Sequence, residues 1–205
     1  MIKDTSQYSE GLAIYNHFYA TDPHFVGTFL DIGAADGIIN SNTRMLADAG
    51  WRGVLVEPAP QMFCQLMKNY RGYENVRLVN ACVAAQTSPR IRPFQVNTGD
   101  DVTVDQISTL SKEHAAKWHG YPFREIYIPV ITPLELIRNV CPDATIDFLN
   151  VDTEGTNVEV FRACMMFMKP RMVCVEADPP ADVFELVSEH YANTATMGGN
   201  VLGWL

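Results

Sequence analysis

Two carboxylates and two glycines in the N-terminal third of the chain have a spacing that suits a nucleotide-type ligand. Asp31 ends an apolar, β-favouring run, and Gly33 begins a turn of small residues that closes at Gly37. Such a turn lets a ligand approach the backbone, and Asp31 would face the crevice where open α/β sheets bind ligands. A second apolar run ends at Glu57, 20 residues after Gly37. A carboxylate at that spacing can accept both hydroxyls of a ribose.

The turn itself distinguishes between two kinds of cofactor. A dinucleotide-binding fold requires glycine at the first, third and sixth positions, which here are Gly33, Ala35 and Ile38. Ile38 is too bulky for close helix packing, so an NAD-dependent oxidoreductase is the less favoured alternative. The pattern acid–x–Gly–x–x–x–Gly is met by Asp31, Gly33 and Gly37. It resembles the first motif of class I S-adenosylmethionine-dependent methyltransferases.

Composition restricts the class of protein further. The 205 residues are 47% hydrophobic and 19% charged, which predicts one globular domain over residues 1–205. The net charge of −9, without a basic cluster, disfavours a nucleic-acid partner. The sequence has neither an apolar run of membrane-spanning length nor the pattern of a signal peptide. Five dispersed cysteines without CxxC spacing argue against a disulfide framework or a zinc site, and we expect a cytoplasmic protein.

Hydrophobic periodicity predicts strands that alternate with helices, and hence a mostly parallel sheet covered on both faces. A helical cap is expected within residues 1–25, and a hairpin is expected around Gly198–Gly199. The predicted strands are 27–32, 54–57, 76–83, 91–96, 126–131, 146–151 and 172–176. The predicted helices are 6–19 with Ser6 as N-cap, 41–49 ending at Gly50, 61–70, 132–140, 156–168 and 181–190.

The least regular region is the insertion at residues 84–130. Its polar centre is too long for a plain connector, so we expect either a substrate-side flap or a mobile loop. His114 and His119 lie in this centre. They could reach an acceptor, but we interpret them as solvated loop residues.

Six segments of the chain resemble FkbM-type methyltransferases, in the order that the family has them. They are SQYSEG (6–11), FLDIGAADG (29–37), SNTRMLADAGWRGVLVEPAP (41–60), ISTLSKEHAAKW (107–118), IDFLNVDTEGTNVEVF (146–161) and KPRMVCVEAD (169–178). The resemblance implies a doubly wound, Rossmann-like α/β fold with the seven-stranded, mostly parallel class I sheet. It also implies methyl transfer from S-adenosylmethionine, usually to a hydroxyl oxygen, so the expected partner is a small-molecule or saccharide acceptor.

The resemblance also assigns roles to single residues. The turn that begins at Asp31 should hold the methionine end of the cofactor, Glu57 the ribose, and the residues after the third strand the adenine. Two polar residues, Gln7 and Asn42, should close over the cofactor. The cofactor-binding set is then Gln7, Asp31, Gly33, Ala34, Asp36, Gly37, Asn42, Glu57, Asn80, Ala81, Cys82 and Asp152.

The expected catalytic residues are carboxylates beyond the ends of the fourth and fifth sheet strands. An alcohol acceptor must lose its proton to a base, or have its pKa lowered by a metal, and the need for a metal stays open. Asp152 and Glu154 follow the fourth sheet strand and are the best-placed carboxylates, although a helix N-cap with a favourable charge would explain them equally. Relatives typically have glutamate at Asn157 and histidine at Ala177. Either Asp178 substitutes for that histidine, which could act as a base or metal ligand, or the acceptor differs. A non-catalytic cofactor- or partner-binding domain remains an alternative.

Overall fold

The computed structural model describes residues 2–20, 22–99, 107–140, 145–178 and 180–205. The strands in these ranges are β1 (Thr28–Ile32), β2 (Arg52–Val56), β3 (Val76–Val79), β4 (Cys82–Val83), β5 (Ile91–Asn97), β6 (Phe123–Ile131), β7 (Phe148–Val151), β8 (Met172–Glu176), β9 (Asn193–Met197) and β10 (Asn200–Trp204). The helices are α1 (Glu10–Tyr19), α2 (Arg44–Asp48), α3 (Pro60–Asn69), α4 (Lys112–Lys117), α5 (Pro133–Val140), α6 (Asn157–Met165) and α7 (Pro180–His190).

Seven strands form one sheet in the order β3-β2-β1-β7-β8-β10-β9. The first five are parallel, and the C-terminal hairpin β9–β10 adds two antiparallel strands at the edge next to β8. The predicted doubly wound, mostly parallel seven-stranded fold of the class I methyltransferase type is therefore confirmed, as is the hairpin around Gly198–Gly199.

Both faces of this sheet are buried, because helices cover each of them. Along β1, Leu30 faces the side covered by α5, α6 and α7, and Phe29 faces the side covered by α1, α2 and α3. Both side chains are fully buried. Burial on both faces explains why the parallel strands are nearly continuous apolar runs rather than alternating patterns. None of the helices in the described ranges has the length and apolar character needed to cross a bilayer.

The insertion carries a second, three-stranded sheet in the order β4-β6-β5. The predicted strand 76–83 is divided between the two sheets, since β3 pairs with β2 while β4 pairs with β6. Phe94, Val96 and Ile128 form a separate small core beneath β5 and β6. The strands predicted at 91–96 and 126–131 are thus confirmed. The polar residues between them include a helix, α4, which the sequence analysis missed.

Two helices begin later than predicted. Helix α1 begins at Glu10 rather than at Ser6, and the Ser6 hydroxyl, from outside the helix, accepts the backbone N–H of Gly11 in the first turn at 2.9 Å. Helix α2 begins at Arg44, so six residues separate it from Gly37 and it does not follow the glycine turn directly. Its predicted end at Gly50 is confirmed, because that residue has φ +87°.

The ends of β1 and β7 approach each other so closely at Gly33 that we expect a larger residue there to destabilise the fold. This residue has φ +91°, and a Cβ there would lie 1.6 Å from the carbonyl oxygen of Asp152, whereas a Cβ on Gly50, at φ +87°, would meet nothing within 4 Å. The Gly50→Ala substitution should cost about 1–2 kcal/mol of unfolding free energy, from backbone conformation alone. Gly33→Ala should cost at least about 3 kcal/mol, because the backbone must also move. Urea unfolding of both variants measures the difference, and equal costs would contradict the steric argument.

Candidate active site

A cavity of about 300 Å³ opens at the carboxyl ends of β1, β2, β7 and β8. Its volume is at the lower end of the range for small-molecule sites, and its position is where open α/β sheets bind ligands. Most of the residues predicted to bind the cofactor or to act in catalysis line it. They are Gln7, Asp31, Gly33, Ala34, Asn42, Glu57, Ala81, Cys82, Asp152 and Glu154.

Three predicted cofactor residues shape the site from outside the cavity. Asp36 Oδ1 accepts two backbone N–H groups within its own turn, at 2.8 and 2.9 Å. Gly37 permits close packing of α3, since a Cβ there would lie 2.4 Å from the Tyr70 ring. Asn80 Nδ2 donates to the carbonyl oxygen of Glu57 at 2.8 Å. The structure therefore gives all three residues a part in backbone geometry, and none of them lines the cavity.

Glu57 connects the end of β2 to the glycine turn. Its side chain is buried, Oε2 accepts the N–H of Ala35 at 2.9 Å, and Oε1 accepts the N–H of Ala59 at 2.7 Å. Burial raises the pKa of Glu57 to about 7, although the two backbone donors act in the opposite direction. A carboxylate has about four lone-pair sites, so Glu57 can still accept hydrogen bonds from a ligand.

Asp31 is the centre of a buried polar network that joins β1, β7 and the residues before α2. It accepts the Thr43 hydroxyl at 2.6 Å and the Asn150 amide at 2.9 Å, and Asn42 donates to Asn150 at 3.1 Å. Burial raises the pKa of Asp31, and the two donors oppose that shift. The sequence analysis missed the role of Asn150. The available signal was a polar residue inside an otherwise apolar strand.

The turn after β7 is tied to β8 by Asn157. The Asn157 Oδ1 atom accepts the backbone N–H of Thr153 at 2.6 Å and its hydroxyl at 2.8 Å. The amide nitrogen of Asn157 donates to Glu176 Oε2 at 2.7 Å. Asn157 is fully buried and links these two elements from outside the cavity.

Three carboxylates, those of Asp152, Glu154 and Glu176, each place an oxygen within 4.8 Å of the others at the cavity wall. Burial first, and then the neighbouring Glu176 and Glu154, raise the pKa of Asp152 well above its ordinary range. Burial and the Glu154 charge raise the pKa of Glu176 to about 7. Oxygens at this spacing could surround a cation, but acids alone do not define a metal site, and we assign none. The cluster favours positively charged ligands.

His114 of α4 lies directly behind this cluster. Only 5% of the residue is exposed, so its interpretation as a solvated loop residue is wrong. Its Nε2 atom lies 2.8 Å from Glu154 Oε2, and its Nδ1 atom lies 3.2 Å from Asp178 Oδ2 without hydrogen-bond alignment. Asp178 also accepts Lys117 Nζ at 3.1 Å and does not line the cavity. The structure therefore places the predicted catalytic residue Asp178 behind His114.

A local signal for His114 was present in the sequence. Ser111 accepts the backbone N–H of His114 at 3.0 Å and so caps α4. A helix that begins there places His114 and Trp118 on one face, four residues apart. Trp118 lines the cavity, and its indole nitrogen lies 3.3 Å from His114 Nε2.

The sequence profile of the methyltransferase FkbM domain matches residues 31–197. The chain belongs to the FkbM methyltransferase family. Among curated proteins, none has a sequence that matches this chain significantly. An FkbM methyltransferase of known structure, from Methylobacillus flagellatus KT, is 14% identical with a TM-score of 0.50, and the match covers 93% of this chain and 48% of that one. This chain thus spans about half the length of that relative.

Two other solved methyltransferases resemble this FkbM chain more weakly. An O-methyltransferase from Bacillus cereus, solved in complex with SAH, is 11% identical with a TM-score of 0.49, over 98% of this chain and 83% of that one. A precorrin-6y C5,15-methyltransferase from Geobacter metallireducens GS-15 is 14% identical with a TM-score of 0.46, over 87% and 80% of the two chains. At these identities the likeness concerns the fold only.

The raised pKa values predict how stability depends on pH without a ligand. Glu57 and Glu176 have pKa values of about 7 in the folded state against an ordinary 4.5, so the folded state binds more protons between these values. The free energy of unfolding should therefore fall as the pH rises from 5 to 8. Glu176→Gln should make this decline shallower, because its share of the titration is removed.

The control for this measurement is Glu159→Gln, which makes the same change of charge at an exposed position on α6. Its pH profile of stability, from urea unfolding of the cofactor-free protein, should have the wild-type slope. A Glu176→Gln profile as steep as that of the wild type would contradict the prediction.

Proposed function

We propose that this FkbM-family protein transfers a methyl group from S-adenosylmethionine to a hydroxyl oxygen of a small molecule or saccharide. The observation that supports this most is the composition of the cavity. Its lining includes Glu57, an acid suited to bind ribose hydroxyls, together with Asp152 and Glu154. One cavity can thus hold both a nucleoside and a proton-accepting group.

The cavity residues fit the cofactor chemically. The sulfonium and ammonium groups are cations, and none of the described residues that line the cavity is Lys or Arg. Asp31 and Asp152 would face the ammonium, and Glu57 the ribose hydroxyls. Ala81 and Cys82 would lie beside the adenine, which Met62 and Phe94 can flank with apolar surface. Gln7 and Asn42, which line the cavity from the segments before α1 and α2, would close over the ligand.

When bound, S-adenosylmethionine supplies an electrophilic methyl carbon on a sulfur that leaves as a neutral thioether with the electron pair. The protein must hold the acceptor oxygen close and in line, and positioning of this kind can supply up to about 7–11 kcal/mol of the barrier reduction. It must also take the hydroxyl proton. Glu154 is the proposed proton acceptor, because it lines the cavity, and Asp152 serves either in that role or as a contact to the ammonium. Asp178 can act only through His114, since it does not reach the cavity.

The charge and shape of the wall favour an uncharged acceptor. Asp152, Glu154 and Glu176 would repel a phosphorylated or carboxylated compound. Trp118 presents an indole ring at the cavity and remains 38% exposed, so it offers a flat apolar surface beside polar groups. Neutral polyols, sugars and phenols combine a hydroxyl group with a face that can stack on such a ring.

Calorimetric titration with S-adenosylmethionine, S-adenosylhomocysteine and NAD tests the cofactor assignment. The two sulfur nucleosides should bind and NAD should not. Glu57→Gln should weaken both about 10–100-fold, because hydrogen bonds to a charged partner are lost. Glu74→Gln, an exposed control of the same chemistry, should leave affinity unchanged. Equal affinity of the Glu57→Gln variant and the wild type would remove Glu57 from the site.

A radiolabelled-methyl assay with methyl glucoside, inositol and catechol, and with glucose 6-phosphate as an anionic comparison, tests the reaction. We expect label in a neutral hydroxyl compound and none in the phosphate ester. Cofactor binding without any transfer would favour the non-catalytic alternative.

A further inference from the structure

The imidazole of His114 reaches the cavity wall from the insertion, which is distant in sequence from the wall itself. Its Nε2 atom is 2.8 Å from Glu154 Oε2, and Trp118 Nε1 is 3.3 Å from the same nitrogen. One ring nitrogen cannot donate to a carboxylate and accept from an indole at the same time. The shorter contact defines the hydrogen bond, in which Nε2–H donates to Glu154.

The turn that carries Glu154 is shaped to receive this ring. Glu154 has φ +50° and Gly155 has φ +90°, and both are left-handed conformations. A Cβ on Gly155 would lie 2.7 Å from His114 Nδ1, so the ring occupies the space that a side chain would need. The Thr109 hydroxyl, also from the insertion, donates to the Glu154 carbonyl oxygen. An unfavourable backbone conformation is thus held by two side chains of the insertion.

The three acids at the wall have different neighbours, and Glu154 is the one that is hydrogen-bonded to His114. Glu176 is bonded to Asn157, and Asp152 faces the charges of both neighbours. The hydrogen bond with Glu154 raises the pKa of His114, and burial opposes that shift. Asp178, from the opposite side of the ring, also favours the protonated imidazole, whereas Lys117 disfavours it. His114 is therefore a donor to Glu154 that does not itself line the cavity.

We propose that His114 is a positioning residue that fixes the Glu154 carboxylate and its turn at the cavity wall. The reason that Glu154 needs positioning, as a proton acceptor, rests on the proposed function. The contact itself is a property of the folded protein and can be tested without an acceptor.

Amide hydrogen exchange of the full chain measures this positioning at residues 153–156. His114→Ala should increase the exchange rate there about 10-fold or more, because the turn loses a hydrogen bond to a charged group. His114→Gln should restore most of the protection, since the glutamine Nε2 can donate where the imidazole did. The control His119→Ala changes an exposed histidine of the same insertion and should match the wild type.

Exchange in β5 and β6 serves as the internal reference, and unchanged protection there shows that the insertion stays folded. Wild-type exchange at 153–156 in His114→Ala, or a loss that His114→Gln does not reverse, would overturn the proposal. Titration of S-adenosylhomocysteine into the same samples tests the proposed function separately from the positioning role of His114. Wild-type protein that fails to bind it, with the exchange pattern intact, would refute the proposed function and leave the positioning role standing.

Discussion

The constraint on which this site depends is the parallel arrangement of four strands, each of which delivers an acid to the same edge of the sheet. Asp31 lies near the end of β1, Glu57 and Asp152 directly follow β2 and β7, and Glu176 ends β8. Parallel pairing in register brings these ends together. The result is a buried cluster of like charges, which is costly because water is excluded and the carboxylates repel one another.

Hydrogen-bond donors offset this cost to a different extent at each acid. Glu57 accepts hydrogen bonds from two backbone N–H groups, Asp31 from a hydroxyl and an amide, and Glu176 from the amide of Asn157. Asp152 faces acids on either side, and burial and its neighbours raise its pKa. A cation in the cavity would relieve repulsion that these donors leave. Such a cavity should bind a cationic nucleoside better than an anionic one, which agrees with the proposed cofactor.

A strand, helix or site residue could be predicted from the sequence where neighbouring residues in the chain determine it, and could not where distant contacts do. The central strands were found because burial on both faces makes them apolar runs, and the acids were found because they end those runs. The division between β3 and β4 was missed because residues 76–83 are a mostly apolar stretch in which Arg77 and Asn80 are the polar residues, and neither is a turn signal as strong as Gly or Pro. The start of α2 was predicted three residues early because Ser41 lies before the helix, where its hydroxyl accepts the backbone N–H of Arg44 at 3.1 Å.

The burial of His114 could not be predicted, because its cause is not local in the sequence. It precedes Glu154 by 40 residues, and only the packing of α4 against Gly155 buries it, so polarity alone indicated a solvated position. The packing depends on partners in several elements: Asp178 after β8, Thr109 before α4, and the left-handed turn after β7. The helical spacing of His114 and Trp118 indicates a shared face, but no periodic pattern along the chain records which distant residues that face meets. The position of Asp178 outside the cavity could not be foreseen for the same reason, because its neighbours His114 and Lys117 come from the insertion.

Asn157 illustrates how a departure from the family pattern can preserve the arrangement of a site. A glutamate at this position could accept the Thr153 hydrogen bonds but could not donate to Glu176, and it would add one more negative charge beside Asp152 and Glu176. An amide accepts on one side and donates on the other, which is what the 2.6 and 2.7 Å contacts require. With one charge fewer behind the wall and an imidazole donor on Glu154, the three cavity acids experience less repulsion. In this chain Asn157 thus joins the turn after β7 to Glu176 without adding a charge beside the cavity acids.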